Sequence, residues 1–166
     1  MIIVVAGVSG TGKSTVGQAL SKQLSLPFID ADDFHPEVNK AKMQSGIPLT
    51  DDDRWPWLQT LAGELARYEQ QKGVVLACSA LKESYRNVLS ANDTLPIEWV
   101  VLTGSYGLLS ARLSARENHF FDGRLLENQL QTFEMPTYGL KVDVSATLDD
   151  IIKDATAYVH SASLQG

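Results

Sequence analysis

The first apolar stretch, IIVVA at residues 2–6, has no polar alternation and is dominated by β-branched side chains. A run of that kind predicts a strand covered on both faces of a parallel sheet, near its centre. A glycine-rich turn follows, and then VGQALSKQL (16–24) sets Val16, Leu20 and Leu24 at helical spacing. Pro27 ends that helix, and LPFID reads as a second short strand.

Further along, GVVLACSA (73–80) and IEWVVLTG (97–104) predict two more buried strands, each followed by a helical stretch, and LKVDVSA (140–146) a fifth. Between residues 33 and 72, three prolines, Pro36, Pro48 and Pro56, punctuate helical segments. The clearest of these is WPWLQTLAGELARYEQQK, with Pro56 suited to its first turn. Strands alternating with helices predict an α/β fold with a five-stranded parallel sheet flanked by helices in three layers. No repeat, low-complexity tract or long linker divides the 166 residues, so a single domain spanning 1–166 is expected, with a frayed SASLQG end.

Charge narrows the class of partner. Twenty acidic against fourteen basic residues give a formal charge of −6, the wrong sign for a general nucleic-acid binder. An anionic ligand must then be held by a local group of cations. Cys78 is the only cysteine, which leaves no internal disulfide and no thiolate metal site. The apolar start, Met1 to Val8, is too short for a membrane span and has no basic leader, so the chain reads as cytoplasmic.

GVSGTGKS at residues 7–14 satisfies the phosphate-loop pattern in full, after a strand and at the start of a helix. In that setting successive main-chain N–H groups and the positive helix end converge on one anion. Gly7, Ser9, Gly10, Thr11, Gly12, Lys13, Ser14 and Thr15 make up the expected nucleotide-binding set. Lys13 is placed to reach the outer phosphates of ATP, and Ser14 to put its hydroxyl on Mg²⁺.

FIDADDFHP (28–36) brings Asp30, Asp32 and Asp33 to the end of the second strand, where open α/β sheets bind ligands. Strand alternation would send Asp30 and Asp32 to one side and Asp33 to the other. Asp32 is then a candidate base for an attacking hydroxyl and Asp30 a candidate metal-side carboxylate; a solvated helix cap is the competing reading.

Together, GVSGTGKS, DADDFHPEVNKAKMQSGIPLTDDDRWPWL (30–58), CSALKESYR (78–86) and ARLSARENHFF (111–121) resemble gluconokinase, the P-loop kinase of gluconate. The resemblance implies a nucleoside-monophosphate-kinase-like fold with a lid and phosphorylation of D-gluconate at its 6-hydroxyl. It also implies a possible homodimer. A polyhydroxy acid needs a cation for its carboxylate and polar groups for its hydroxyls, and the segment at about 30–72 offers them. Arg54, in DDDR just before the helix expected near Trp55, is the first candidate for the carboxylate. Lys82 and Arg86, four apart, are second candidates, each with an ordinary surface role as the alternative. His35 is a candidate for a sugar hydroxyl or for a turn cap, and Ser79 stands where many P-loop proteins carry a metal-directed aspartate.

Residues 112–135 read as a lid that carries Arg112, Arg116, His119 and Arg124. Arg116 is the expected catalytic arginine and Arg112 the expected nucleotide contact; an exposed charged hairpin is the alternative. Asn118 stands where the family pattern has glycine, Phe120 and Phe121 read as anchors, and Trp55, Trp57 and Trp99 as packing residues. A kinase of another small acid, such as shikimate, and a nucleotide-dependent switch remain competing functions.

Overall fold

A computed structural model describes residues 1–92, 96–116 and 123–164. Five strands, β1 (Ile2–Ala6), β2 (Phe28–Asp30), β3 (Val74–Cys78), β4 (Glu98–Thr103) and β5 (Leu140–Asp143), pair in the order β2-β3-β1-β4-β5, all parallel. All five β1 residues are buried, as the unbroken apolar run requires of a central strand with helices on both faces. Alternation of strands with helices is therefore realised as a three-layer α/β sandwich.

The helices are α1 (Lys13–Leu24), α2 (Glu37–Gln44), α3 (Asp51–Glu69), α4 (Glu83–Ser90), α5 (Tyr106–Ser114), α6 (Gly123–Thr132) and α7 (Leu148–Leu164). The chain runs outward from β1 to β2, returns to β3, and then crosses to β4 on the other side of β1. That reversal leaves a crevice above the carboxyl ends of β1, β2 and β3, the place where such sheets hold ligands. Among the described residues no helix is long and apolar enough to cross a membrane.

Two local expectations change. First, α3 begins at Asp51, a full turn before Trp55, because Thr50 and Asp53 form a reciprocal capping box. Pro56 consequently lies inside the helix, and Arg54 belongs to its first turn. Second, β2 ends at Asp30, and residues Ala31–Phe34 form a 3₁₀ turn capped by the Asp30 side chain, which accepts from the Asp32 N–H at 2.9 Å. Strand alternation therefore cannot place Asp32 and Asp33, since neither is in the strand.

Candidate active site

The phosphate loop connects β1 to α1 as its glycines demand. Gly12 caps α1 with φ 87°, in the left-handed region that favours glycine. At Gly7 a Cβ would lie 2.7 Å from the Leu102 carbonyl oxygen and 2.9 Å from Thr11 Oγ1, so the loop can pass close to β4 only without a side chain there. Thr11 is buried and its hydroxyl donates to the Val8 carbonyl at 2.7 Å, bracing the loop from within. Ser9, Gly10, Gly12, Lys13, Ser14 and Thr15 line the cleft above it.

That cleft, about 410 Å³, is also lined by Asp30, Asp32, His35, Arg54, Trp57, Ser79 and Arg116. Side chains expected to act on phosphate and on acceptor therefore meet in one cavity. Lys13 Nζ donates to the Val8 carbonyl at 3.2 Å, and burial holds its pKa below the usual value, while Asp32 and Asp30 pull it back up. Ser14 Oγ donates to Asp30 Oδ2 at 2.7 Å, which sets a hydroxyl and a carboxylate side by side, a hard oxygen pair suited to a magnesium ion.

Asp32 stands on the 3₁₀ turn, its side chain 79% exposed to the cleft. Its pKa lies above the usual carboxylate value, first through desolvation by the cleft walls and then through the neighbouring Asp30 charge, with Lys13 opposing. The turn is anchored from below by Trp57, whose indole N–H donates to the Ala31 carbonyl at 2.7 Å. His35 stacks on the same indole, with ring centroids 4.1 Å apart and planes 16° apart. Burial, together with the Arg54 and Lys40 charges, pushes the His35 pKa down to about 4, so its ring is neutral at neutral pH.

Arg54 is held by α4. Its Nη1 donates to Tyr85 Oη at 2.9 Å, and its guanidinium carbon stands 5.3 Å from that ring's centroid. Tyr85 Oη in turn donates to Asp51 Oδ1, and Lys82 donates to both Asp51 oxygens at 3.3 Å. Lys82 is the N-cap residue of α4 and is absent from the cleft lining; it backs the Asp51–Tyr85 pair.

Arg86 is a clearer correction. It is 2% exposed, and its Nε donates to the Ala80 carbonyl at 2.9 Å, its Nη2 to the carbonyls of Leu81 at 3.2 Å and Glu134 at 2.5 Å, and its Nη1 to Glu83 at 3.2 Å. Its guanidinium is thus turned to the main chain and Glu83, and Arg86 is absent from the cleft lining. It pins Ala80, whose φ of 41° is unfavourable for a residue with a Cβ, and so fixes the turn that presents Ser79 to the cleft. Arg86→Met is expected to lower stability by about 2 kcal/mol, because the buried Ala80 carbonyl loses its donor and the Leu81 carbonyl keeps only the Glu134 N–H at 2.7 Å; the midpoint of urea unfolding measures it.

Cys78 is buried beneath the cleft, and burial pushes its thiol up to about 12, so it carries no nucleophile. Arg112 lies outside the cleft lining and donates to the Val144 carbonyl at 2.6 Å, on the turn after β5. The lid region is described in two parts, α5 through Arg116 and α6 from Gly123, which pack together. Asn118, His119, Phe120 and Phe121 lie outside the described residues. From α6, Gln129 Oε1 accepts the Ser9 N–H at 2.8 Å, a contact across 120 residues that no local pattern announces.

Comparison with known proteins identifies the family to which this fold belongs. Residues 9–138 match the family model described as shikimate kinase. The gluconokinase of Gluconobacter oxydans is 50% identical over 137 residues, covering 81% of this chain and 75% of its own. The thermoresistant gluconokinase of Escherichia coli is 39% identical over 156 residues, covering 91% and 89% respectively. The crystal structure of a gluconokinase from Sinorhizobium meliloti superposes with a TM-score of 0.91 at 42% identity, covering 99% of this chain and 94% of that one. With its phosphate loop, its acidic turn and its cleft arginines on the same fold, the chain belongs to the gluconokinase family of P-loop kinases, inside the wider set that the shikimate kinase model describes.

Proposed function

We propose that the protein transfers the γ-phosphoryl group of ATP to the 6-hydroxyl of D-gluconate, giving 6-phospho-D-gluconate and ADP. The observation that carries this reading is the shared cleft: Lys13 on the phosphate side and Asp32 on the acceptor side sense each other's charge across one cavity. A nucleotide switch has no use for the acceptor half.

The amides of the loop and the start of α1 receive the phosphates. Lys13 neutralises charge on the transferring group, and Arg116 lines the same cavity from the end of α5. Magnesium, when bound, supplies further charge neutralisation at the phosphate oxygens, and Ser14 with Asp30 would hold it. Asp32 takes the proton as the O–H bond of the alcohol breaks; its oxygen bonds to phosphorus, and the bond from phosphorus to ADP breaks. Arg54 pairs with the sugar acid's carboxylate, and His35 and Ser79 contact its hydroxyls. The exposed Arg112 accompanies the nucleotide beyond the cleft, and α5 and α6 belong to a lid that excludes water, which would otherwise accept the phosphoryl group. The single, reduced cysteine suits a cytoplasmic setting.

ADP release measured with a panel of sugar acids and shikimate tests the substrate. Gluconate-dependent release above the ATPase background is expected; turnover with shikimate and none with gluconate would replace the reading. Arg54→Lys is expected to raise KM for gluconate about tenfold or more with KM for ATP unchanged, because a lysine cannot make the paired contacts of a guanidinium. Steady-state titration of each substrate separates the two constants.

A further inference from the structure

His35 and Asp32 reach the acceptor side of the cleft from one short stretch of chain, and the state of the imidazole is decided behind it. Asn39, on α2 four residues after His35, is 1% exposed. Its Nδ2 donates to the main-chain carbonyl of Asp53 at 2.9 Å and contacts His35 Nδ1 at 3.2 Å. A carbonyl oxygen only accepts, so turning the amide over would set two acceptor oxygens against each other. The amide nitrogen therefore faces both partners, although this leaves Asn39 Oδ1 buried with no partner among the described residues. The Lys42–Asp53 ion pair, 2.8 Å, ties α2 to α3 and keeps the carbonyl in place.

A donor at Nδ1 requires a lone pair there, and the proton of the neutral ring must then sit on Nε2. Nε2 is 3.9 Å from Asp32 Oδ1, too far for a direct hydrogen bond. That spacing leaves room for one oxygen atom at ordinary hydrogen-bond distance from both. An alcohol has one proton to give and two lone pairs. It can donate to Asp32, accept from His35, and keep the second lone pair for phosphorus.

We propose that Asn39 is a positioning residue for phosphoryl transfer: it fixes His35 as the Nε2–H tautomer, so that His35 donates to, and Asp32 accepts from, the same acceptor hydroxyl. His35 keeps its proton throughout; the alcohol's proton passes to the Asp32 carboxylate as the O–P bond forms and the bond to ADP breaks. In the other tautomer the Nε2 lone pair would compete with Asp32 for that proton and turn the hydroxyl away from it. The stack on Trp57 holds the ring plane, and Asn39 sets which nitrogen carries hydrogen. This rests on Asp32 being the base of the kinase proposed above.

Nitrogen-15 NMR of the full chain without ligand reads the tautomer directly, with His35 signals assigned by their loss in His35→Gln. An unprotonated Nδ1 and a protonated Nε2 are expected in the wild type at neutral pH. In Asn39→Leu the ring should shift toward the Nδ1–H form, and kcat/KM for gluconate should fall by the same factor as the Nε2–H population, about twofold for an even mixture and about tenfold if a tenth of the rings keep that form, while KM for ATP holds. His35→Gln, whose amide nitrogen can stand in for Nε2–H, should lose less of kcat/KM for gluconate than His35→Asn, which is too short to reach and should lose about tenfold. A wild-type ring protonated at Nδ1 would overturn the proposal. So would a folded Asn39→Leu protein with unchanged ring signals and turnover; if that variant does not fold, the wild-type spectrum and the two His35 variants decide. Absence of gluconate-dependent ADP release from the wild type would overturn the substrate reading alone, since the ring spectrum is taken without substrate.

Discussion

Lys13→Ala is expected to lower kcat for gluconate phosphorylation by about a thousandfold or more, the scale of removing a preorganised charge from the transferring group. In the wild type the ammonium bridges the loop by donating to the Val8 carbonyl, and it shares the cleft with Asp32 and Asp30. Burial makes the ammonium costly there, as its lowered pKa records. The variant should therefore fold at least as well as the wild type without nucleotide, so lost activity cannot be put down to unfolding. What it should lose is the rise in Tm that ATP with magnesium gives the wild type, because ligand stabilisation follows affinity for the native state. Thermal unfolding with and without nucleotide, beside single-turnover rates, checks both halves. Near-normal transfer in a folded Lys13→Ala protein would remove the phosphate side of the proposed mechanism.

The parts of the molecule that were legible from residues alone are those whose physics is local. The β-branched run at 2–6 fixes a central strand because nothing polar interrupts it, and GVSGTGKS fixes the loop because its glycines and its neighbouring elements admit little else. The start of α3 was obscured by Pro56, which suggests a helix beginning nearby; the Thr50–Asp53 box carries Asp where the usual signature has Glu or Gln. Arg86 misleads more deeply. Arginine is ordinarily a surface residue, and its burial depends on carbonyls at Ala80, Leu81 and, 48 positions along the chain, Glu134.

The acceptor side shows the same division. Asp30 and Asp32 were visible as carboxylates after a strand, yet their placement depends on a 3₁₀ turn that Trp57 anchors from α3. Trp57 reads as packing by composition and does pack, but its N–H also holds the turn that carries the candidate base. Asn39 four residues after His35 is a spacing that a helix would bring together, although Pro36 between them hides it. Gln129 on the phosphate loop has no signature at all, since only tertiary folding brings α6 over Ser9.

Asp32→Asn should separate activity from stability in opposite directions. An amide cannot take the proton of the attacking alcohol, so kcat should fall by about a hundredfold to ten-thousandfold, while KM for ATP changes little because Asp32 faces the acceptor. In the wild type kcat/KM should fall as pH falls through a carboxyl whose pKa stands above the ordinary 3.8, and that acid limb should vanish in the variant. The stability sign follows from the same shift. A carboxyl with a raised pKa binds its proton more tightly folded than unfolded, so the native state gains stability as pH falls through the folded pKa, and it carries a penalty at neutral pH. The neutral asparagine escapes that penalty, which desolvation and the Asp30 charge impose. Tm of Asp32→Asn should accordingly exceed that of the wild type at neutral pH, and the difference should close in acid below the unfolded value. With the side chain open to the cleft, the increase will be modest, and only the part due to the Asp30 charge is screened by added salt. A variant that turns over gluconate at the wild-type rate would show that the proton leaves by another route, whatever its Tm.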